Sequence, residues 1–70
     1  MKTKYLIRDI RNNTYFLGSN IKPIFGDLND GVRYFDSIKD AEIRLNEESE
    51  LFEDIFSEIV LEVVQVYIFE

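Results

Sequence analysis

The most numerous side chains in this sequence that could do chemistry are carboxylates. There are fourteen Asp and Glu, no histidine and no cysteine. The usual general base, the commonest metal-binding imidazole, thiolate ligands and disulfides are therefore missing. The acids concentrate late in the chain, at Glu47, Glu48, Glu50, Glu53, Asp54, Glu58 and Glu62, and no Lys or Arg follows Arg44. Carboxylates at close spacing can act as an acid–base pair, as cation ligands or as a charged docking face. An acid–base pair needs a pocket that drives its two pKa values apart, and 70 residues leave little room for a pocket of ~300 Å³ or more. Asp27, Asn29, Asp30 and Gly31 resemble the start of a calcium loop. Counted from Asp27, however, Gly31 falls fifth and Ile38 twelfth, where an EF-hand needs Gly sixth and Glu twelfth. A turn explains them better. With no Gly-rich phosphate loop or nucleophile elbow, the reading is a non-enzymatic chain with no cofactor and no metal.

That leaves the docking face. Net charge is −6 and unevenly placed: residues 1–40 carry seven Lys/Arg against five Asp/Glu, giving +2, and residues 41–70 carry one Arg against nine acids, giving −8. Such a field repels nucleic acid and anionic membrane and attracts basic surfaces. On a helix from Ser49 to Ile59, the residues Leu51, Phe52, Ile55, Phe56 and Ile59 fall on one side and Glu50, Glu53, Asp54 and Glu58 on the other. Like charges four residues apart repel by a few tenths of a kcal/mol per pair, so the helix accepts a small cost to keep one sign. The alternative is a solvated face that keeps the chain soluble. The basic residues Lys2, Lys4, Arg8, Arg11, Lys22 and Arg33, interleaved with Tyr5, Tyr15 and Tyr34, could form a base-stacking sheet. No RNP-type motif accompanies them, and ordinary strand surface accounts for them. Asn12-Asn13-Thr14 matches a glycosylation sequon, but a hairpin turn explains it.

Positioning these residues requires a small α+β domain spanning 1–70. Lys4–Arg11 reads as a strand, Asn12-Asn13 as a tight turn and Thr14–Leu17 as the return strand. With Asn12 and Asn13 central, Ile10 faces Tyr15 and Arg8 faces Leu17, so Leu6, Arg8, Ile10, Tyr15 and Leu17 share a face. Residues 19–31 read as irregular, punctuated by Pro23, Gly26 and Asp30-Gly31. Val32–Phe35 reads as the third strand. Ser37 is a helix N-cap, with Asp40 three residues on, and Ile38, Ala41 and Leu45 make a buried stripe. Glu48 would fall among the apolar residues if that helix ran on, so a break is placed near 46–49 and Ser49 starts a second helix. Val60–Phe69 is the strongest strand, apolar on both faces. An open edge there would template aggregation, so it is placed inside the sheet beside the first strand. The order is β-β-β-α-(α)-β: an antiparallel or mixed sheet of about four strands with one or two helices on one face. The other face is covered either by Ile21, Ile24, Phe25 and Leu28 or by a second copy of the chain.

Size, acidity and a helix face of Glu50, Glu53, Asp54 and Glu58 without catalytic residues resemble the small phage-encoded inhibitors of host defence, of which anti-CRISPR proteins are the best-known group. The resemblance implies a protein inhibitor, in some members a nucleic-acid mimic, and transfers no site residue. The expected function is a non-enzymatic inhibitor or modulator that binds a basic surface, such as that of a nuclease or other nucleic-acid-binding protein, through Glu47, Glu50, Glu53, Asp54 and Glu58. The alternative is a homodimeric structural or accessory protein joined through its apolar sheet. The N-terminus lacks an apolar signal region and the longest apolar stretch, Ile59 to Phe69, is broken by Glu62 and Gln65, so a cytoplasmic chain outside the membrane is expected.

Overall fold

The structure, a computed structural model, describes residues 2–68. Its elements are β1 (Lys2–Asp9), β2 (Thr14–Ser19), β3 (Pro23–Gly26), a 3₁₀ turn (Leu28–Asp30), α1 (Ile38–Leu51), α2 (Glu53–Phe56) and β4 (Leu61–Ile68). All strand pairs are antiparallel and the sheet order is β3-β2-β1-β4. The chain is an α+β fold.

The first hairpin turns earlier than expected. The buried Asp9 carboxylate accepts from the backbone N–H groups of Arg11 and Asn12 and from the Asn12 side chain. This stops β1 at Asp9 rather than Arg11 and closes a four-residue loop. Asn13 takes the left-handed conformation there, with φ 54°. Arg8 therefore faces Tyr15 and Asp9 faces Thr14, two residues away from the expected register. A two-residue shift keeps each side chain on its face, so Leu6, Arg8, Tyr15 and Leu17 still share one, and only Ile10 leaves it for the turn.

The third strand is Pro23–Gly26, not Val32–Phe35. Pro23 begins it on the sheet's outer edge, where a missing N–H is tolerated, and a register shift between Phe16 and Gly18 lets β2 bend onto it. Val32–Phe35 is held between the first two strands instead. β1 and β2 pair only at residues 8–9 with 14–15. Farther along, Phe35 exchanges both backbone hydrogen bonds with Tyr5, at 2.8 and 2.9 Å, and Arg33 N–H donates to the Phe16 carbonyl.

β4 runs beside β1 along its whole length, from Lys2–Ile68 to Asp9–Leu61. It lies at the edge of the sheet, not inside it, because the other side of β1 is taken by β2 and Phe35. Phe69 is outside the described residues.

Ser37 caps α1 by accepting from the Asp40 N–H, and the helix lies on the face carrying Ile7 and Phe16. These two and Ala41 are the buried centre, ringed by Tyr5, Phe25, Phe35, Leu45, Leu61 and Val63. Of the expected stripe, Ala41 and Leu45 pack inward, but Ile38, in the first turn, is half exposed. On the opposite face Leu6 is fully buried, yet Ile21, Ile24 and Leu28 point to solvent and Phe25 has turned to the helix side.

The N-terminal strand is tied to the approach to α1 by an ion pair between Lys4 and Asp36. The hydrogen bond from Lys4 holds the Asp36 carboxyl below the usual carboxylate range, with the Lys4 charge acting in the same direction. A lowered folded-state pKa contributes stability above the unfolded value, and that contribution fades as pH falls through the folded value. Carbon-detected NMR titration should find Asp36 titrating below the ordinary aspartate value, and Lys4→Met should bring it back toward that value. An unchanged Asp36 in Lys4→Met would show that the pair does not form in solution.

Candidate functional site

The acidic segment is built by one long helix that stops and a short one that restarts. α1 runs unbroken through residues 46–49, where a break was expected. Ser49 does not cap a second helix; its hydroxyl donates to the Leu45 carbonyl one turn back. The helix continues because Glu48 finds partners. Its Oε1 accepts from Ser19 Oγ at 2.7 Å and from Arg44 Nε at 3.0 Å, one turn earlier on α1. Glu48 is 3% exposed and its Oε2 is buried with no hydrogen-bond partner. Arg44 also lies over the Phe16 ring, 5.8 Å from its centroid, so the same guanidinium joins the helix to the core.

The chain leaves α1 at Phe52, whose φ −127° and ψ 49° end the helix while its N–H still bonds to the Glu48 carbonyl. α2 restarts at Glu53 with two acids in its first turn, where the helix dipole favours them. Glu47 and Glu50 near the end of α1 face the opposite sign of that dipole, with no base in the last turn to offset them. Glu50, Asp54 and Glu58 thus do not form the single helical row that their spacing suggested. The break at Phe52 separates Glu50 from Asp54, and Glu58 follows α2.

All five candidate residues, Glu47, Glu50, Glu53, Asp54 and Glu58, are exposed. None of their side chains forms a hydrogen bond or ion pair among the described residues. Three of them come together: Glu50, Glu53 and Asp54 line an open concavity of about 400 Å³ with Leu51, Phe52 and Ile55. Glu47 and Glu58 lie outside its lining. The apolar members were expected on a buried side, but Leu51 is 74% exposed and Ile55 39%. The kink at Phe52 turns them outward while Phe56 stays inside, edge-on to Phe25 at 6.3 Å. Only the position of the break, which no local residue type announces, could have revealed this from the sequence.

A second open groove, of about 470 Å³, runs between α1 and the β1–β4 side of the sheet. Both hollows exceed the space expected of so short a chain, because they lie on the surface between elements and not within the core. Asp27 and Asp30 form the turn expected of them: Asp27 N–H donates to the Asp30 carboxylate and Gly31 closes the turn at φ 89°. Among the described residues no group of three or more acids is arranged to hold a metal ion, and no helix is long and apolar enough to cross a membrane. The arrangement can do electrostatic and apolar recognition: carboxylates free of partners around side chains that water does not favour. The chain matches no family model, no curated protein and no solved structure.

Proposed function

We infer that the chain is a non-enzymatic binding protein that inhibits or modulates another protein by docking the kink between α1 and α2 onto a basic, partly apolar surface. The observation carrying this reading is Leu51, 74% exposed beside Ile55 in a hollow whose polar lining is three partner-free carboxylates. Interfaces concentrate affinity in a few apolar anchors, surrounded by polar groups that exclude water. Leu51 and Ile55 supply the anchor. Glu50, Glu53 and Asp54, with Glu47 and Glu58 beyond them, speed encounter with a positive partner and make it salt-sensitive. Because the acids do not fall in one row, their fit is to a basic protein surface rather than to a site built for evenly spaced phosphates. A phage-encoded inhibitor of a nucleic-acid-handling protein, of anti-CRISPR type, is the form of this activity that the resemblance of size and charge suggests.

The test is capture from lysate by the tagged chain, followed by affinity measurement on the captured protein at two salt concentrations. Glu50→Lys, Glu53→Lys and Asp54→Lys together should abolish capture, and Leu51→Asp should weaken affinity by about 2 kcal/mol or more with the salt slope retained. Unchanged affinity and unchanged salt slope in the triple variant would rule out the acidic hollow.

A homodimer joined through the sheet is the second reading. The open edge of β4, with Tyr67 58% exposed, favours it. Light scattering at high concentration decides it, since a monomer excludes a stable dimer.

A further inference from the structure

β4 has a free side whose chemistry can be read from the ladder on its other side. In an antiparallel pair, hydrogen-bonded and non-hydrogen-bonded residue pairs alternate. Ile10 N–H donates to the Val60 carbonyl, which fixes the phase. The pairs Arg8–Glu62, Leu6–Val64 and Lys4–Val66 are then the hydrogen-bonded ones. Tyr5 agrees, because it spends both backbone groups on Phe35, away from β4. Leu61, Val63, Gln65 and Tyr67 therefore point their N–H and C=O groups outward, where no described strand pairs with them.

The same four residues turn their side chains toward the helix face, as the packing of Leu61 and Val63 on the core shows. Leu61, Val63 and Gln65 line the groove of about 470 Å³, whose opposite wall is Ile38, Glu42 and Leu45 of α1. Ile38 is an apolar residue left half exposed there. Glu42 is exposed and forms no hydrogen bond or ion pair among the described residues. The sheet's other edge, β3, is protected in the ordinary way, being four residues long with Pro23 at its start. β4 is eight residues long, without proline or lysine, and its one charge within Leu61–Ile68, Glu62, is paired with Arg8.

We propose that β4 is a strand-addition site: an extended segment of a partner protein pairs with its outer edge and places alternate apolar side chains in the groove beneath α1, with a Lys or Arg reaching Glu42. An outward row of backbone groups accepts only extended chain, the groove selects apolar side chains at alternate positions, and the carboxylate selects a base. A second copy of β4 is the competing occupant. It would bring together two C-terminal halves that each carry −8 and offers Glu42 no base from its own Leu61–Ile68. This site is separate from the hollow at Leu51 and stands or falls without it.

The probe is a display library of random linear eight-residue peptides, selected on the immobilised full chain, with the enriched peptides then synthesised. Enriched sequences should carry apolar residues at every second position, with a Lys or Arg at one position of that same set, because only side chains of one parity face the groove that Glu42 lines. Gln65→Pro removes one outward N–H and no bond to β1, and should weaken their binding about tenfold or more, since a lost edge bond and the displaced strand together exceed 1.4 kcal/mol. Glu42→Lys should weaken it severalfold, and the triple Lys variant at 50, 53 and 54 should leave it unchanged. Bound peptide should slow amide hydrogen exchange at Val63 and Gln65, a readout that needs no variant. Failure to enrich any peptide, or enriched peptides that neither slow those amides nor discriminate Gln65→Pro, would overturn the proposal. A concentration-dependent dimer that protects the same amides without peptide would overturn it in favour of the second copy.

Discussion

Phe16→Ala should leave this chain without a cooperative fold at 25 °C. Phe16 is 1% exposed on β2, with Phe25 edge-on at 5.8 Å and the Arg44 guanidinium over its face. Truncating a buried phenylalanine costs about 3–5 kcal/mol, from lost transfer energy and the cavity left behind. A domain of this size has roughly 3–5 kcal/mol to lose, because so short a chain buries too small a share of its surface. The site cannot collapse easily. Phe16 bridges β3, through Phe25, and α1, through Arg44, so closing the void would move both. Urea unfolding followed by far-ultraviolet circular dichroism is the measurement. Phe16→Leu, which keeps most of the volume, should lower the midpoint and preserve the slope, and Phe16→Ala should show no native baseline. A Phe16→Ala protein that unfolds cooperatively with less than about 1 kcal/mol lost would place the core's weight on the Leu6 side of the sheet.

The parts of this fold legible in the sequence are those whose signals are local. Ser37 announces the helix start by residue type, the Asn pair announces a turn that needs a positive φ at Asn13, and the β-branched run of β4 announces a strand. The parts that were not legible are fixed by distant partners. Pro23–Gly26 begins with proline and ends with glycine, so it carries the residue types of a turn, and only pairing with β2 makes it a strand. Glu48 sits on the apolar side of α1, and periodicity alone argues that the helix must stop before it. What lets the helix continue is Ser19, 29 residues away, which no local pattern reveals. The candidate acids show the same division. Their number and single sign can be read directly, but their arrangement depends on where the helix breaks. Moving that break from residues 46–49 to Phe52 dissolves the expected row and brings Leu51 to the surface.

Removing Arg44 should cost much more than removing the carboxylate it pairs with. Arg44 is a third exposed, whereas Glu48 is 3% exposed with one oxygen already lacking a partner. Arg44→Met retains a flexible side chain able to lie against the Phe16 ring, so its main effect is to leave a buried carboxylate held by Ser19 alone. A buried charge deprived of its partner costs about 3–5 kcal/mol; with Arg44 partly screened by water, about 2–3 kcal/mol is expected. In Glu48→Met the freed guanidinium can swing into solvent and the buried orphan oxygen disappears, so the loss should stay below about 1 kcal/mol. The double variant Arg44→Met, Glu48→Met should be close to the parent or more stable, as replacements of buried ion pairs by apolar residues often are. The double-mutant cycle, measured by urea unfolding, then reads the coupling directly. A cycle with near-zero coupling and two equally small single losses would mean that Glu48 is hydrated in solution and that α1 stays on β2 by apolar packing alone. Strong coupling, with a double variant that folds but shows altered exchange protection at Ser19 and Phe52, would identify the pair as the device that fixes where α1 ends. The hollow at Leu51 would then exist because a buried carboxylate holds the helix against the sheet up to its last turn.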